Sequence, residues 1–149
     1  MTAGELCNRT VYIIRPTESV LEAARLMRDH HVGCLVVVEE RGENRIPVAI
    51  VTDRDIVVKG LAEAAEQIGT LRVADVMSER LVSAREGEPM YDVRKKMRAR
   101  GIRRIPVVDD QDRLQGIIAF DDMVDWMAQE LGDLARLLAR EQERESDEA

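Results

Sequence analysis

Short apolar runs punctuate the chain in two matched sets, at residues 35–38 and 46–51 in one half and at 105–108 and 114–119 in the other, the last interrupted by Gln115. Runs of this length between polar turns predict strands buried on both faces. A shorter, β-branched strand is predicted at residues 11–14, with its counterpart at 81–83. Between the strands, Val20, Ala23, Ala24 and Met27 recur at helical spacing, which gives a helix one apolar face. Ser19 or Thr17 can cap it. A second such helix is predicted near residues 89–100, one starting at Asp53 with Thr52 as its cap, and a last one from Asp121. Residues 61–70 read as helical up to Gly69, and a single helical turn around 73–77 bridges the halves.

The two sets are copies. At a constant offset of 70, Val20 falls on Met90, Met27 on Met97, Val32 on Ile102 and Val37 on Val107. Beyond the loop the offset is 67, and Ala49, Ile50, Val51, Asp55 and Val57 fall on Gly116, Ile117, Ile118, Asp122 and Val124. The three missing residues belong to the polar loop, 39–45 in one copy and 109–113 in the other. A repeat that keeps its apolar positions and shortens only a loop is a duplicated structural unit, and clefts between the units are natural ligand sites.

Composition narrows the function. The 149 residues are 45% hydrophobic but only 3% aromatic, enough for one compact body with an aliphatic core. The net charge of −7 argues against non-specific nucleic-acid binding, which needs a basic surface. No run approaches a membrane span and no basic-then-apolar leader opens the chain, so a soluble, cytoplasmic protein is expected. Cys7 and Cys34 lie in unlike contexts and suggest neither zinc nor a disulfide.

The order strand, helix, strand, strand, helix, given twice, resembles the CBS-domain pair, or Bateman module. Residues 48–55, V-A-I-V-T-D-R-D, look like the family segment in which a Thr or Ser precedes an Asp by three positions, and residues 101–108, G-I-R-R-I-P-V-V, look like the segment that leads into its second strand. The resemblance covers about residues 5–130. It implies an α+β fold of tandem CBS repeats in one pseudo-two-fold module of stand-alone type: a first repeat at 1–71, a second at 72–130, and a helical extension with an acidic tail at 131–149.

It also implies an adenosine-containing ligand in the clefts, AMP, ADP or ATP ahead of S-adenosylmethionine or NADH. Asp55 matches the carboxylate that accepts a ribose diol in charge-assisted hydrogen bonds. Thr52, with Asp53 beside it, is placed to meet a phosphate at the amides of a helix N-terminus. The plain alternative is that Thr52 and Asp55 only cap a helix. The second copy keeps Asp122 but has Ala119 in place of the threonine, so the clefts are expected to be unequal. Seven basic residues lie between Arg94 and Arg104 with no acid among them. Residues 94–100 read as a solvated face with pairs such as Asp92 to Lys96, whereas Arg103 and, above all, Arg104 are expected to reach the phosphates. Gly33 and Cys34 hold those positions in the first copy. Tyr12 and Ile14, with Pro16, are candidates to flank an adenine, and His31 to line the cleft.

Adjacent His30 and His31 point about 100° apart on a helix and make a poor chelate. No nucleophile with its own base can be assembled, so a regulatory module is expected and not an enzyme. Val124, Met127, Leu131, Leu134 and Leu138 form an apolar stripe beyond the repeat, which favours a homodimer or a regulated protein partner; residues 141–148 read as an acidic, frayed tail. The rival reading is a ligand-free dimerisation scaffold.

Overall fold

A computed structural model describes residues 1–149. In chain order the elements are α1 (Ala3–Leu6), β1 (Ile13–Ile14), α2 (Val20–His30), β2 (Cys34–Arg41), β3 (Asn44–Thr52), α3 (Asp53–Asp55), a π-helical turn (Ile56–Leu61), α4 (Ala62–Ala64), a 3₁₀ turn (Ala65–Gln67), α5 (Val73–Val76), β4 (Ala84–Arg85), α6 (Met90–Arg100), β5 (Arg104–Val108), β6 (Leu114–Ala119) and α7 (Phe120–Glu148). They form an α+β fold with two three-stranded sheets, ordered β1-β2-β3 and β4-β5-β6. In each sheet the first pair is parallel and the second antiparallel. Both antiparallel ladders slip at matching places, between Val37 and Val38 and between Val107 and Val108.

The runs at 35–38 and 105–108 are buried on both faces as expected, Leu35, Val36, Val37 and Val38 being wholly covered, whereas those at 46–51 and 114–119 alternate buried with half-buried residues and are covered on one face only. Ser19 caps α2, its Oγ accepting from the amide of Glu22 at 3.0 Å. Both long repeat helices then stop on a left-handed residue, His31 (φ 54°) and Gly101 (φ 62°), and the amides of Val32 and Ile102 close the last turn on the carbonyls of Met27 and Met97. That stop turns the chain into β2 and β5, and so sets residues 33–34 and 103–104 at the seam between the halves.

Two cores fill the molecule, and the chain crosses between them. The first gathers Ile14, Val20, Ala23, Met27, Leu35, Val37, Ala49 and Val51 but also Val73 and Val76 of α5; the second gathers Ala84, Met90, Val93, Met97, Ile105, Val107, Ile118 and Met123 but also Ala3 and Cys7. Each repeat's leading turn therefore packs into the other repeat's core. The hydrogen bonds repeat at the same offset of 70. The amide of Ala3 donates to the carbonyl of Glu88 (2.9 Å) as that of Val73 does to Glu18 (2.8 Å), and Gly4 donates to Glu86 (2.8 Å) as Ala74 does to Pro16 (3.0 Å).

Several sequence expectations shift. The strand expected at 81–83 forms at Ala84–Arg85, leaving Leu81 and Val82 half-buried. The helix expected from Asp53 is a single α-turn that widens into the π-helical turn, and residues 61–70 break up because Ala64 (φ −140°, ψ 41°) leaves helical space. The acidic tail does not fray: α7 runs to Glu148, with Arg144 pairing to Glu148 at 3.6 Å across one turn. Lys96 pairs with Glu88 at 2.8 Å and not with Asp92.

Candidate functional site

Two clefts open along the seam, and they are mates under the repeat. The first, about 390 Å³, is lined by Ile50, Thr52, Asp53, Arg54, Asp55, Ser78, Arg80, Leu81, Val82, Gly101, Ile102, Arg103 and Arg104. The second, about 460 Å³, is lined by Asn8, Thr10, Val11, Tyr12, Ile117, Ala119 and Asp122, with His30 to Cys34 and again Arg104. Position for position, Ser78 answers Asn8, Val82 answers Tyr12, and Asp55 answers Asp122.

The first cleft is where the chain concentrates charge. Thr52 ends β3 and caps α3 reciprocally with Asp55. The Asp55 amide donates to Thr52 Oγ1 (3.2 Å), while the Thr52 amide (2.9 Å) and hydroxyl (3.0 Å) both donate to Asp55 Oδ2. This leaves Asp55 Oδ1 without a hydrogen bond, 3.7 Å from Lys59 Nζ, on a side chain that is 22% exposed and lines the cleft. The helix N-terminus offers less than expected. The Asp53 amide donates to the carbonyl of Gly33 (3.0 Å), the Arg54 amide to Asp53 Oδ1 (2.9 Å) and the Asp55 amide to Thr52, so all three are engaged. Positive potential comes from guanidinium groups instead. Arg54, Arg80 and Arg104 are exposed and lie within 4 Å of no carboxylate. Arg103 instead has partners to one side, 3.5 Å from Asp121 and over the Phe120 ring at 5.2 Å. Leu81, Val82, Ile50 and Ile102 supply aliphatic walls.

The structure thus brings together Thr52, Asp53, Asp55, Arg103 and Arg104, and it places the other sequence candidates elsewhere. Tyr12, His31 and Asp122 line the second cleft, where Tyr12 stacks on His30 (centroids 4.1 Å apart, planes 20° apart) and Asp122 Oδ2 accepts from the Ala119 amide at 3.1 Å. Ile14 lines neither: it is 1% exposed, inside the first core. Pro16 is also outside both clefts, its carbonyl tied to Ala74 in the crossing turn. Arg80 and Lys59 went unread in the sequence. The repeat offset could have found Arg80, since it places it on Thr10, two residues before Tyr12.

Cys34 is buried, and desolvation pushes its thiol up to about 11 against a smaller opposing pull from Arg104. Burial likewise raises Cys7. Both are therefore protonated thiols near neutrality. No three His, Cys, Asp or Glu side chains are grouped to hold a metal ion, and no helix is long and apolar enough to cross a membrane.

Comparison with known proteins agrees with this architecture. The CBS domain family model matches residues 3–61 and 73–129. An uncharacterised protein of Methanopyrus kandleri is 34% identical over 124 residues, which are 83% of this chain and 61% of that protein. The CBS domain-containing protein YhcV of Bacillus subtilis is 36% identical over 113 residues, 76% of either chain. Among solved structures, the CBS domain pair of protein MJ0100, in complex with 5′-methylthioadenosine and S-adenosyl-L-methionine, superposes with a TM-score of 0.72 at 27% identity, covering 87% of this chain and 98% of that one. Twin sheets, mated clefts and a family match over both repeats lead to one statement: this chain belongs to the CBS-domain family and carries a pair of CBS repeats.

Proposed function

We propose that the protein is a regulatory module that binds an adenine nucleotide, of the AMP, ADP or ATP class, in the Thr52–Asp55 cleft. The observation that carries this reading is that one cleft holds a carboxylate from one half, Asp55, and guanidinium groups from the other, the unpaired Arg80 and Arg104 with Arg103 beside them. A ribose diol binds Asp55 Oδ1, the base lies between Leu81, Val82 and Ile102, and the phosphates meet the arginines in charge-assisted bonds. The pair of protein MJ0100 holds two adenosine compounds, which supports an adenosine ligand; the arginines favour a phosphate tail over the cationic sulfonium of S-adenosylmethionine. Binding is read out through a homodimer or a protein partner at the exposed α7 stripe.

Removing a hydrogen bond to a charged group costs about 1.5–3 kcal/mol, so Asp55→Ala should weaken AMP or ATP binding roughly 10- to 100-fold. Titration calorimetry measures this, and unchanged affinity in a folded variant refutes the ribose assignment. One observation favours the rival reading of a ligand-free scaffold: Thr52 and Asp55 satisfy each other as a cap. A thermal-shift screen over AMP, ADP, ATP, S-adenosylmethionine and NADH separates the two, because a ligand bound only by the folded state raises its stability. No shift with any of the five supports the scaffold.

A further inference from the structure

The two clefts share one arginine. Arg104 opens β5, opposite Ala119 in the ladder with β6, and lines both clefts. Its repeat mate, opposite Thr52 in the other ladder, is Cys34, a buried thiol. The repeat thus carries an arginine at this place in one copy only. The consequences differ between the clefts. The first has Arg54, Arg80 and Arg103 besides. In the second, Arg104 is the sole Lys or Arg, and His30 and His31 are the other basic side chains, set against Asp122. Arg104 is exposed and held by no carboxylate within 4 Å, so nothing in the protein commits it to either side.

We propose that Arg104 makes the clefts alternatives for anionic ligands. A phosphate bound in the first cleft draws the guanidinium away from the second, which then accepts a nucleotide only weakly but still accepts an uncharged nucleoside. The second cleft suits such a nucleoside: the Tyr12–His30 stack offers a flat aromatic surface to a base, and Asp122 offers a carboxylate to a ribose. Coupling of this kind is reciprocal, so a nucleotide in the second cleft weakens the first by the same factor. The inference rests on the adenine-nucleotide reading given above.

Calorimetric titration of the full chain with AMP, and separately with adenosine, tests it. Asp122→Ala identifies which of the two AMP steps belongs to the second cleft. Asp55→Ala, which disables the first cleft, should strengthen that second-cleft step by on the order of 10-fold, the value of one freed charge-assisted bond, and should leave adenosine binding there unchanged. Adding Arg104→Gln to Asp55→Ala should abolish the gain. Arg104→Gln alone, an exposed substitution, should weaken both AMP steps and bring them closer together, and it serves if Asp55→Ala does not fold. A second-cleft step identical in wild type and Asp55→Ala overturns the inference, as does a gain that survives Arg104→Gln, since repulsion between the two phosphates would then be the cause. Two equal AMP steps in the wild type overturn it while leaving the nucleotide reading intact. No binding of AMP or adenosine to the wild type overturns both.

Discussion

Replacing Gly116 by alanine tests the crossing of the chain between its two cores. An added Cβ at this point would lie 2.6 Å from Cys7 Sγ, 2.8 Å from the carbonyl oxygen of Asn8 and 3.0 Å from Cys7 Cβ. The Asn8 oxygen is backbone and cannot escape by changing rotamer. It is also held, because it accepts from the Ile117 amide (3.0 Å) while the Asn8 amide donates to the Ile117 carbonyl (2.9 Å). Relieving the overlap therefore means lifting the N-terminal segment off β6. Overpacking of this kind costs about 1–3 kcal/mol, and loosening two backbone hydrogen bonds adds about 0.5–1.5 kcal/mol each if they are lost. A total of roughly 2–6 kcal/mol lowers the melting temperature of a chain of this size by roughly 4–24 °C. Circular dichroism measures the melt, and hydrogen exchange at residues 3–8 and 117 localises it. Cys7→Ala in the same chain removes the Sγ contact but leaves those of residue 7 Cβ and the Asn8 carbonyl, so it should restore only part of the loss. Because Asn8 and Ile117 line the second cleft, ligand binding there should suffer while the first cleft is spared. A Gly116→Ala protein that melts within 2 °C of wild type, with its N-terminal amides still protected, would refute the packing argument.

Two further outcomes follow from the burial of Cys34 and the exposure of α7. Cys34 has its folded pKa raised to about 11 from the ordinary 9.0; the folded state therefore holds this proton more tightly than the unfolded state, its contribution to stability is intact below pH 9, and it is lost as pH rises toward 11. Urea midpoints measured across that window should fall with pH and should fall less steeply in Cys34→Ala; parallel profiles would contradict the assignment. On α7, Leu131, Leu134 and Leu138 are 66%, 57% and 60% exposed. If the stripe joins two copies, Leu134→Asp removes about 1.5–3 kcal/mol from each side and weakens the dimer by at least about 100-fold. Light scattering should then report a single chain, and an unchanged mass would rule this face out.

What could be read from the sequence was whatever repeats with a period. The buried strands, both long repeat helices and the caps at Ser19 and Thr52 follow from apolar spacing and hydroxyl placement, and the pairing of Asp55 with Arg104 across a seam followed from the family resemblance. The turn at 73–77 was legible as helix, but α1 and the packing of both turns were not, for a physical reason. Nothing local distinguishes Ala3 or Val73 from any small apolar residue in a turn; what places them is the other repeat's core, dozens of residues away. The same limit misplaced Ile14 and Pro16, whose side chain and carbonyl are used by packing and by the crossing turn. Arg80 was hidden for another reason: as a single charge before an irregular stretch it looks like any solvated arginine, and only the fold shows that it lines the same cleft as Asp55.

The exchanged leading turns have a consequence for how such a molecule can be taken apart. A piece cut after residue 71 would keep α2 and its sheet but lack the Val73 and Val76 plugs, while its own Ala3 and Cys7 would have no socket. Two such pieces could seat each other's Ala3 turn where Val73 is missing, since the two turns are repeat mates, so isolated halves are driven toward association. Covalent linkage of the halves turns that concentration-dependent assembly into an intramolecular closure, and it obliges both sheets to melt together.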